Sequence, residues 1–362
     1  MTSNTIANGI LKALGVILGV FLLLYFLYKI QIVIVYVAIA AVISLIGRPI
    51  VIFLRRRLKF SNTLAVIFTM TLLIGLFVGL ISMFVPLIVE QGHNLSLLNI
   101  EALQENVESL YMQISEYLST KNIDLEQSIK DSKIFANFDY SIIPNFFNSL
   151  ISGLGSFSIG LLSVLFISFF LLKDSKLLES GILVFVPHRN ETRVNNSIYK
   201  IKDLLSRYFV GLVFQILILF VIYTIALLIF GIKNAIVIAF LGALLNLIPY
   251  IGPLFSGVLI LLLCMTSNLE ADFSSVILPN TIGVMIFFIA GQLIDNFLSQ
   301  PLIFSNSVKS HPLEIFLVII IWGILFGIIG MVVAVPSYTA IKVILKEFLS
   351  ENKFVKSITK DL

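Results

Sequence analysis

Long apolar runs separated by short clusters of basic or turn-forming residues set the plan of this chain. About 20 apolar residues suffice to cross a hydrocarbon core of ~30 Å. Runs of that kind fall at 10–28, 32–54, 64–89, 150–172, 208–231 and 276–300, and each predicts a spanning helix. Two further apolar stretches, 235–266 and 313–345, do not fit this template. As one straight helix, either would run about 48 Å at ~1.5 Å per residue, well past the core. Divided into two crossings, each half would have only about 14 residues, too few to cross. Both stretches are interrupted: the first by Asn246-Leu-Ile-Pro-Tyr-Ile-Gly-Pro253, the second around Phe326-Gly-Ile-Ile-Gly330 and Pro336. A polar insert, 92–148, separates the third and fourth spans, and a basic connector, 173–207, precedes the fifth.

Composition agrees with the pattern. Of 362 residues, 59% are hydrophobic and 12% charged, against roughly 25% charged in soluble domains. This describes a polytopic membrane protein. The net charge of +4 would suit a nucleic-acid partner, but the basic residues collect at the ends of apolar runs, so none is expected. Arg48, Arg55, Arg56, Arg57 and Lys59 follow the second span; seven more fill the connector; Lys342, Lys346, Lys353, Lys356 and Lys360 lie near the end. With Lys12 and Lys309 they make 19 of the 24 basic residues, and one topology puts all of them inside. Both termini are then cytoplasmic and the acidic insert faces outward. Its Leu98, Leu103, Val107, Leu110, Ile114 and Leu118 recur at helical spacing, which predicts a helical cap. The run 10–28 lacks a small-residue cleavage site and is expected to be a retained helix. The expected divisions are a three-span scaffold (1–91), the insert (92–148), span four with the connector (149–207), a transport unit (208–345) and a tail (346–362).

Flanking charge gives the two broken stretches opposite orientations. Segment 235–266 leads into Thr266-Ser-Asn-Leu-Glu-Ala-Asp272, with acids and no bases, so it should begin and finish outside. Segment 313–345 begins and ends beside lysines, so it should begin and finish inside. The expected fold is an all-α polytopic membrane protein with six full spans. Two oppositely oriented re-entrant helical hairpins, their tips meeting within the membrane, complete an inverted repeat of 208–266 and 275–345. Long tilted helices with proline kinks are the alternative. Inverted repeats with broken helices place binding sites at the repeat interface.

Candidate chemistry gathers at those breaks. Pro249 and Pro253 lack amide donors and stop a helix, while Gly252 suits a tight turn. Carbonyls freed there, with Asn246 and Tyr250, form a candidate substrate or ion site. In the alternative reading, Asn246 and Tyr250 only tie down the turn. Gln292, Asp295, Asn296 and Ser299 stand at i, i+3, i+4 and i+7 and so share one helix face. Asp295 is the only carboxylate of its apolar span. Ionisable groups in such places usually mark an ion path or proton relay; an interfacial, hydrated Asp295 is the other reading. His311 and Pro312 open the second broken stretch, and Gly327, Gly330 and Pro336 are its candidate turning and gating positions. Gln215 could face the same cavity or only bridge helices. Gly15 and Gly19, Gly75 and Gly79, and Gly323 and Gly327 have the G-x-x-x-G spacing that permits close helix packing. A single cysteine, Cys264, excludes an internal disulfide framework. The absence of a nucleotide-binding loop, zinc spacing or hydrolase elbow argues against ATP-driven pumping and against an enzyme, and no metal or cofactor is expected.

The stretch 246–253, Gln292-Leu-Ile-Asp-Asn296 with Pro301, His311-Pro312 and Gly327-Ile-Ile-Gly-Met-Val-Val-Ala-Val-Pro336 resemble the autoinducer-2 exporter family of bacterial permeases. Phe166-Ile-Ser-Phe-Phe-Leu-Leu-Lys-Asp174 matches that family's fourth-span ending. The resemblance implies a multi-pass, homo-oligomeric transporter of the bacterial plasma membrane. Its implied cargo is a small polar solute such as autoinducer-2, or a monovalent cation, with Na+ or H+ as coupling ion. The expected function is export by alternating access. The alternatives are a monovalent cation/proton antiporter and a membrane receptor that uses the outer insert.

Overall fold

The computed structural model describes residues 3–94, 109, 112–115, 160–267, 271–308 and 310–360, and among them there is no strand. Five helices of this set are long and apolar enough to cross a membrane. They match the expected spans one, two, three, five and six. The fourth expected span is a helix over Gly160–Lys173, and its first residues lie outside the described set. So does the helical cap expected for 92–148, apart from 92–94, which end the third span's helix, and 109 and 112–115, which are helical.

The chain divides into two compact units. The first comprises Met1–Met70 with Phe157–Ser175. Its helices are α1 (Ser3–Lys29), α2 (Gln31–Arg57), the start of α3 (Asn62–Asn94) and α4 (Gly160–Lys173). From Leu11 to Lys29 every side chain of α1 is exposed, so its apolar surface suits lipid on all sides. By contrast, α2 buries Ala40, Gly47, Val51 and Leu54. The Ser168 hydroxyl of α4 donates to Val164 O at 2.7 Å and to Ala40 O at 3.4 Å, tying α4 to α2. Asn62 Nδ2 donates to Lys173 O at 2.9 Å and so satisfies a free carbonyl at the end of α4.

The second unit comprises Thr71–Ser156 with Lys176–Leu362. It contains α5 (Ser175–Leu183), α6 (Glu191–Ile229), α7 (Ala235–Leu245) and α8 (Ile251–Thr266). The basic connector proves to be helical over most of its length. From Glu191 onward it is the beginning of α6, whose 39 residues extend about 58 Å. An Asp203–Arg207 pair at 3.0 Å supports this extension along the helix, and Lys202 Nζ to Glu179 Oε1 at 2.6 Å ties it to α5.

After α8, Asp272 starts a wide π turn over Phe273–Ile277. Ser274 and Ser275 hydrogen-bond to Asp272 and hold its carboxyl below the usual range. Then follow α9 (Leu278–Ile294), a second π turn (Asp295–Ser299) and α10 (Gln300–Ser307). The chain closes with α11 (Pro312–Phe348), which reverses at Gly327, and α12 (Lys353–Ile358).

Both broken stretches fold as antiparallel helix pairs. In the first, Gly252 lies against Leu245 and Asn246, while Gly242 lies against Ser256 and Ile260, so contacts move apart along both arms from the break. The second pairs Gly330 with Trp322, Gly323 with Met331, Glu314 with Tyr338, and Ser310 with Lys342. At ~1.5 Å per residue, the 11 residues of α7 and the 16 of α8 are each shorter than a ~30 Å core.

Helix α6 runs antiparallel to α9–α10. Gly283 approaches Phe230, Gly291 approaches Tyr223, and Gly211 approaches Ile303. Two apolar cores flank this pair. One joins Leu219, Tyr223 and Leu227 to α7, α8, Val284 and Phe288. The other joins Tyr208, Leu212 and Ile303 to Ile315, Ile319, Ala334 and Val335 of α11. The first hairpin thus covers one end of the helix pair and the second covers the other.

Candidate functional site

Between those two cores lies a belt of buried polar side chains. Its centre is the π turn at Asp295–Ser299, where Gln300 N–H bonds to Asp295 O, one residue further along than an α-helix would allow. Such insertions occur often at functional sites. In a regular helix residues 295 and 300 would diverge around the axis. The wide turn brings them together, and Gln300 Nε2 donates to Asp295 Oδ2 at 2.9 Å. Gln215 Nε2, from α6, donates to the same oxygen at 2.9 Å. Asp295 is 1% exposed, and its Oδ1 accepts no hydrogen bond among the described residues.

One turn earlier, Gln292 Nε2 donates to Tyr223 Oη at 2.7 Å and to Asn246 Oδ1 at 2.9 Å. Asn246 in turn donates through Nδ2 to Gly242 O at 2.8 Å, and Ser256 Oγ donates to that same carbonyl at 2.8 Å. The broken turn of the first hairpin is therefore bonded directly to α9, and through Gln292 to Tyr223 of α6. Gln292 Oε1, like Asp295 Oδ1, is buried without a partner among the described residues.

The expected site residues separate under this geometry. Asn246, Gln292 and Asp295 come together in the belt, and Ser299 is buried beside them. Asn296 is exposed, since the wide turn rotates it outward, although its Oδ1 still accepts from Gln300 at 3.0 Å. Pro249 is buried within the break and Tyr250 takes a left-handed backbone (φ 65) there. Of the carbonyls expected to be free, Pro249 O accepts from Ile251 N and Ile248 O from Gly252 N, both at 2.8 Å. Gly252 is required by close approach: a Cβ there would strike Leu245 O. Pro253 lies in the first turn of α8.

The second hairpin departs further from expectation, because the two tips do not meet. Tyr250, in the first break, packs edge-on against Phe316, partway down the first arm of α11, at 5.9 Å. Gly327 (φ 63, ψ −148) turns the chain in a conformation reserved for glycine, and its neighbours Ile324, Leu325, Phe326 and Ile328 are exposed. His311 caps α11, with Nδ1 accepting from Leu313 N at 3.2 Å, and Pro312 takes the first helical position. Gly330 lets the arms close onto Trp322 O. Pro336 sits inside the second arm, away from the turn. Apolar side chains gain nothing by meeting a polar break, so the tip of the first hairpin packs on the arms of the second instead.

Sequence reasoning did not select Tyr223, Ser256 or Gln300, and it left Gln215 undecided. The available signal was polarity within apolar helices: Gln215 and Tyr223 are among the few polar residues of α6 beyond Tyr208. Their pairing depends on the crossing of α6 with α9.

Broken antiparallel hairpins at both ends of a helix pair, around a buried amide and carboxyl belt, define a polytopic membrane protein of the transporter class. The chain belongs to a family of this class: the model of the AI-2E family transporters matches residues 14–350. Among curated relatives, "Putative transport protein YueF" of Bacillus subtilis (strain 168) is 28% identical over 321 residues, covering 84% of this chain and 81% of that protein. "Putative transport protein YrrI" of the same organism is 31% identical over 184 residues, covering 51% of this chain and half of that protein's length. "Putative transport protein YtvI", also from B. subtilis, is 25% identical over 229 residues, 62% of this chain and 56% of that protein.

Proposed function

We propose that this chain is a secondary transporter that exports a small polar solute, with autoinducer-2 the first candidate, by alternating access. The observation that carries the reading is the buried belt of Gln215, Tyr223, Asn246, Gln292, Asp295 and Gln300 between two separate apolar cores. Buried polar groups in a lipid-embedded helix pair are costly, and in membrane proteins they usually mark a pathway. In this reading the two hairpins are re-entrant from opposite faces, and 208–345 moves against a scaffold of the first spans. The protein is a homo-oligomer of the bacterial plasma membrane with both termini cytoplasmic. Coupling to Na+ or H+ passes through the belt.

A second reading, monovalent cation/proton antiport, is favoured by one specific observation: the belt contains a carboxyl group. Purified protein in liposomes separates the two. Export predicts autoinducer-2 efflux driven by a sodium or proton gradient; antiport predicts cation-for-proton exchange with no solute. In either case Asp295→Asn abolishes coupled flux while insertion and assembly persist. Normal coupled flux by that variant would remove Asp295 from the mechanism.

A further inference from the structure

We propose that Asp295 is held as a neutral carboxylic acid whose proton joins its Oδ1 to Gln292 Oε1, and that this proton fastens the broken turn of the first hairpin through Gln292 and Asn246. The inference deepens the transporter reading and rests on it for its role in transport, though not for its chemistry.

The argument is a count of donors. Gln292 has two amide protons, and both are committed, to Tyr223 Oη and to Asn246 Oδ1. Its Oε1 is left as a buried acceptor with no donor among the described residues. Asp295 Oδ2 receives Gln215 and Gln300, and the Ser299 hydroxyl stands beside the carboxyl, while Oδ1 is a buried acceptor that no donor among the described residues meets in hydrogen-bonding geometry. The two side chains stand at i and i+3, neighbours on one helix face. Two acceptors cannot bond to each other, but a single proton on Oδ1 satisfies both. Leaving them unmade carries the full desolvation cost of each.

The surroundings favour the neutral acid over a carboxylate. An ionised carboxyl at this depth needs a counter-charge. The chain from Tyr208 to Thr266 carries one basic residue, Lys233, which is exposed beyond the far end of α6, and 273–308 carries none. From Tyr208 onward the titratable side chains of α6 are Tyr208 and Tyr223, its charged residues from Glu191 to Arg207 all preceding that point; the first hairpin has Tyr250 and Cys264, and α9 and α10 have none. On the second hairpin Glu314 is bonded to both Tyr338 and Lys342, His311 caps the entry to α11, and Lys346 and Glu347 stand at its far end, where Lys346 donates to Thr359 O. No partner cation for Asp295 stands among these groups.

Release of the proton to water leaves Oδ1 and Gln292 Oε1 as two buried acceptors, one of them charged, on the same helix face. Rotation of the Gln292 amide removes that repulsion by turning Nε2 toward Asp295. The same rotation withdraws the donor from Asn246 and Tyr223, so the break at 246–250 loses its tie to α9. Protonation of Asp295 thus holds the first hairpin in place, and deprotonation frees it.

Infrared difference spectra of the purified full-length protein, wild type against Asp295→Asn, test the chemistry directly. At neutral pH we expect the carbonyl band of a protonated acid to be lost in the variant and to shift in Gln292→Leu, which removes its acceptor. Loss of carboxylate bands instead overturns the proposal. The relay is tested by thiol labelling of Tyr250→Cys in a Cys264→Ser background, scaled to a thiol at exposed Ser274. Relative labelling should rise several-fold with pH when Asp295 is present. With Asp295→Asn, whose amide supplies the donor permanently, it should stay low at every pH. A pH response that survives Asp295→Asn overturns the relay. Flux in liposomes keeps the two readings apart. A lost acid band with normal flux in Asp295→Asn leaves this proposal standing and removes the transport role; lost flux with carboxylate bands does the reverse.

Discussion

In the first hairpin five residues, Asn246 to Tyr250, reverse the chain, and the reversal is the polar, enclosed end of the element. In the second a single residue, Gly327, does so, and its turn is the apolar, exposed end. The polar groups of the second hairpin lie at its open end instead. There Lys342, with a side chain 2% exposed, donates to Ser310 Oγ at 2.8 Å and meets Glu314 at 3.4 Å. Tyr338 Oη donates to Glu314 at 2.9 Å. Backbone that must turn beside other helices needs partners: Pro249 O and Ile248 O find them in Ile251 N and Gly252 N, while Asn246 and Gln292 tie the turn to its neighbours by their side chains. A turn with no polar neighbour is best made as short as sterics allow, and glycine makes it shortest.

This contrast can be broken from either side. The largest effect is expected for Gly252→Ala, whose Cβ would strike backbone atoms of Leu245 and Asn246 that cannot move aside. Thermal unfolding in detergent should show a loss of about 3 kcal/mol. Gly257→Ala, which would meet only the Phe288 ring, should cost under about 1 kcal/mol. Equal melting of the two variants would contradict the packed first break.

Asn246→Leu comes next, at about 2 kcal/mol, because it removes two hydrogen bonds and leaves a Gln292 donor buried. Combining it with Gln292→Leu should cost less than the sum of the separate changes, and strict additivity would show that the two do not act together.

At the second hairpin, Gly327→Ala meets no neighbouring atom and should cost about 1.5 kcal/mol through backbone strain alone. A loss as large as that of Gly252→Ala would mean that this tip is packed after all.

A smaller effect than at Gly327 is expected for Lys342→Met, about 1 kcal/mol, since it keeps the buried stem and leaves Glu314, a third exposed, free to hydrate. Proteolysis of the purified variant should be little changed; a collapse of folded yield would show the pair to be essential.

Five of the expected spans and both broken stretches were legible because hydropathy and turn chemistry act locally. Lipid imposes the same requirement on every apolar run, so 208–231 and 276–300 could be read one at a time. Asp295, Gln292 and Asn246 stood out for the same reason, as polar residues where polarity is expensive. The structure altered three readings: about half of the connector is an extension of α6, Asn296 faces outward, and the tips do not meet.

The sequence alone determined that this is a polytopic helical membrane protein with two interrupted elements and one carboxyl among apolar neighbours. Only the tertiary structure decided which donor meets which acceptor. Those pairings depend on how α6 crosses α9 and on one extra residue in the turn at Asp295. Such choices are made by packing between distant segments, which no local pattern encodes.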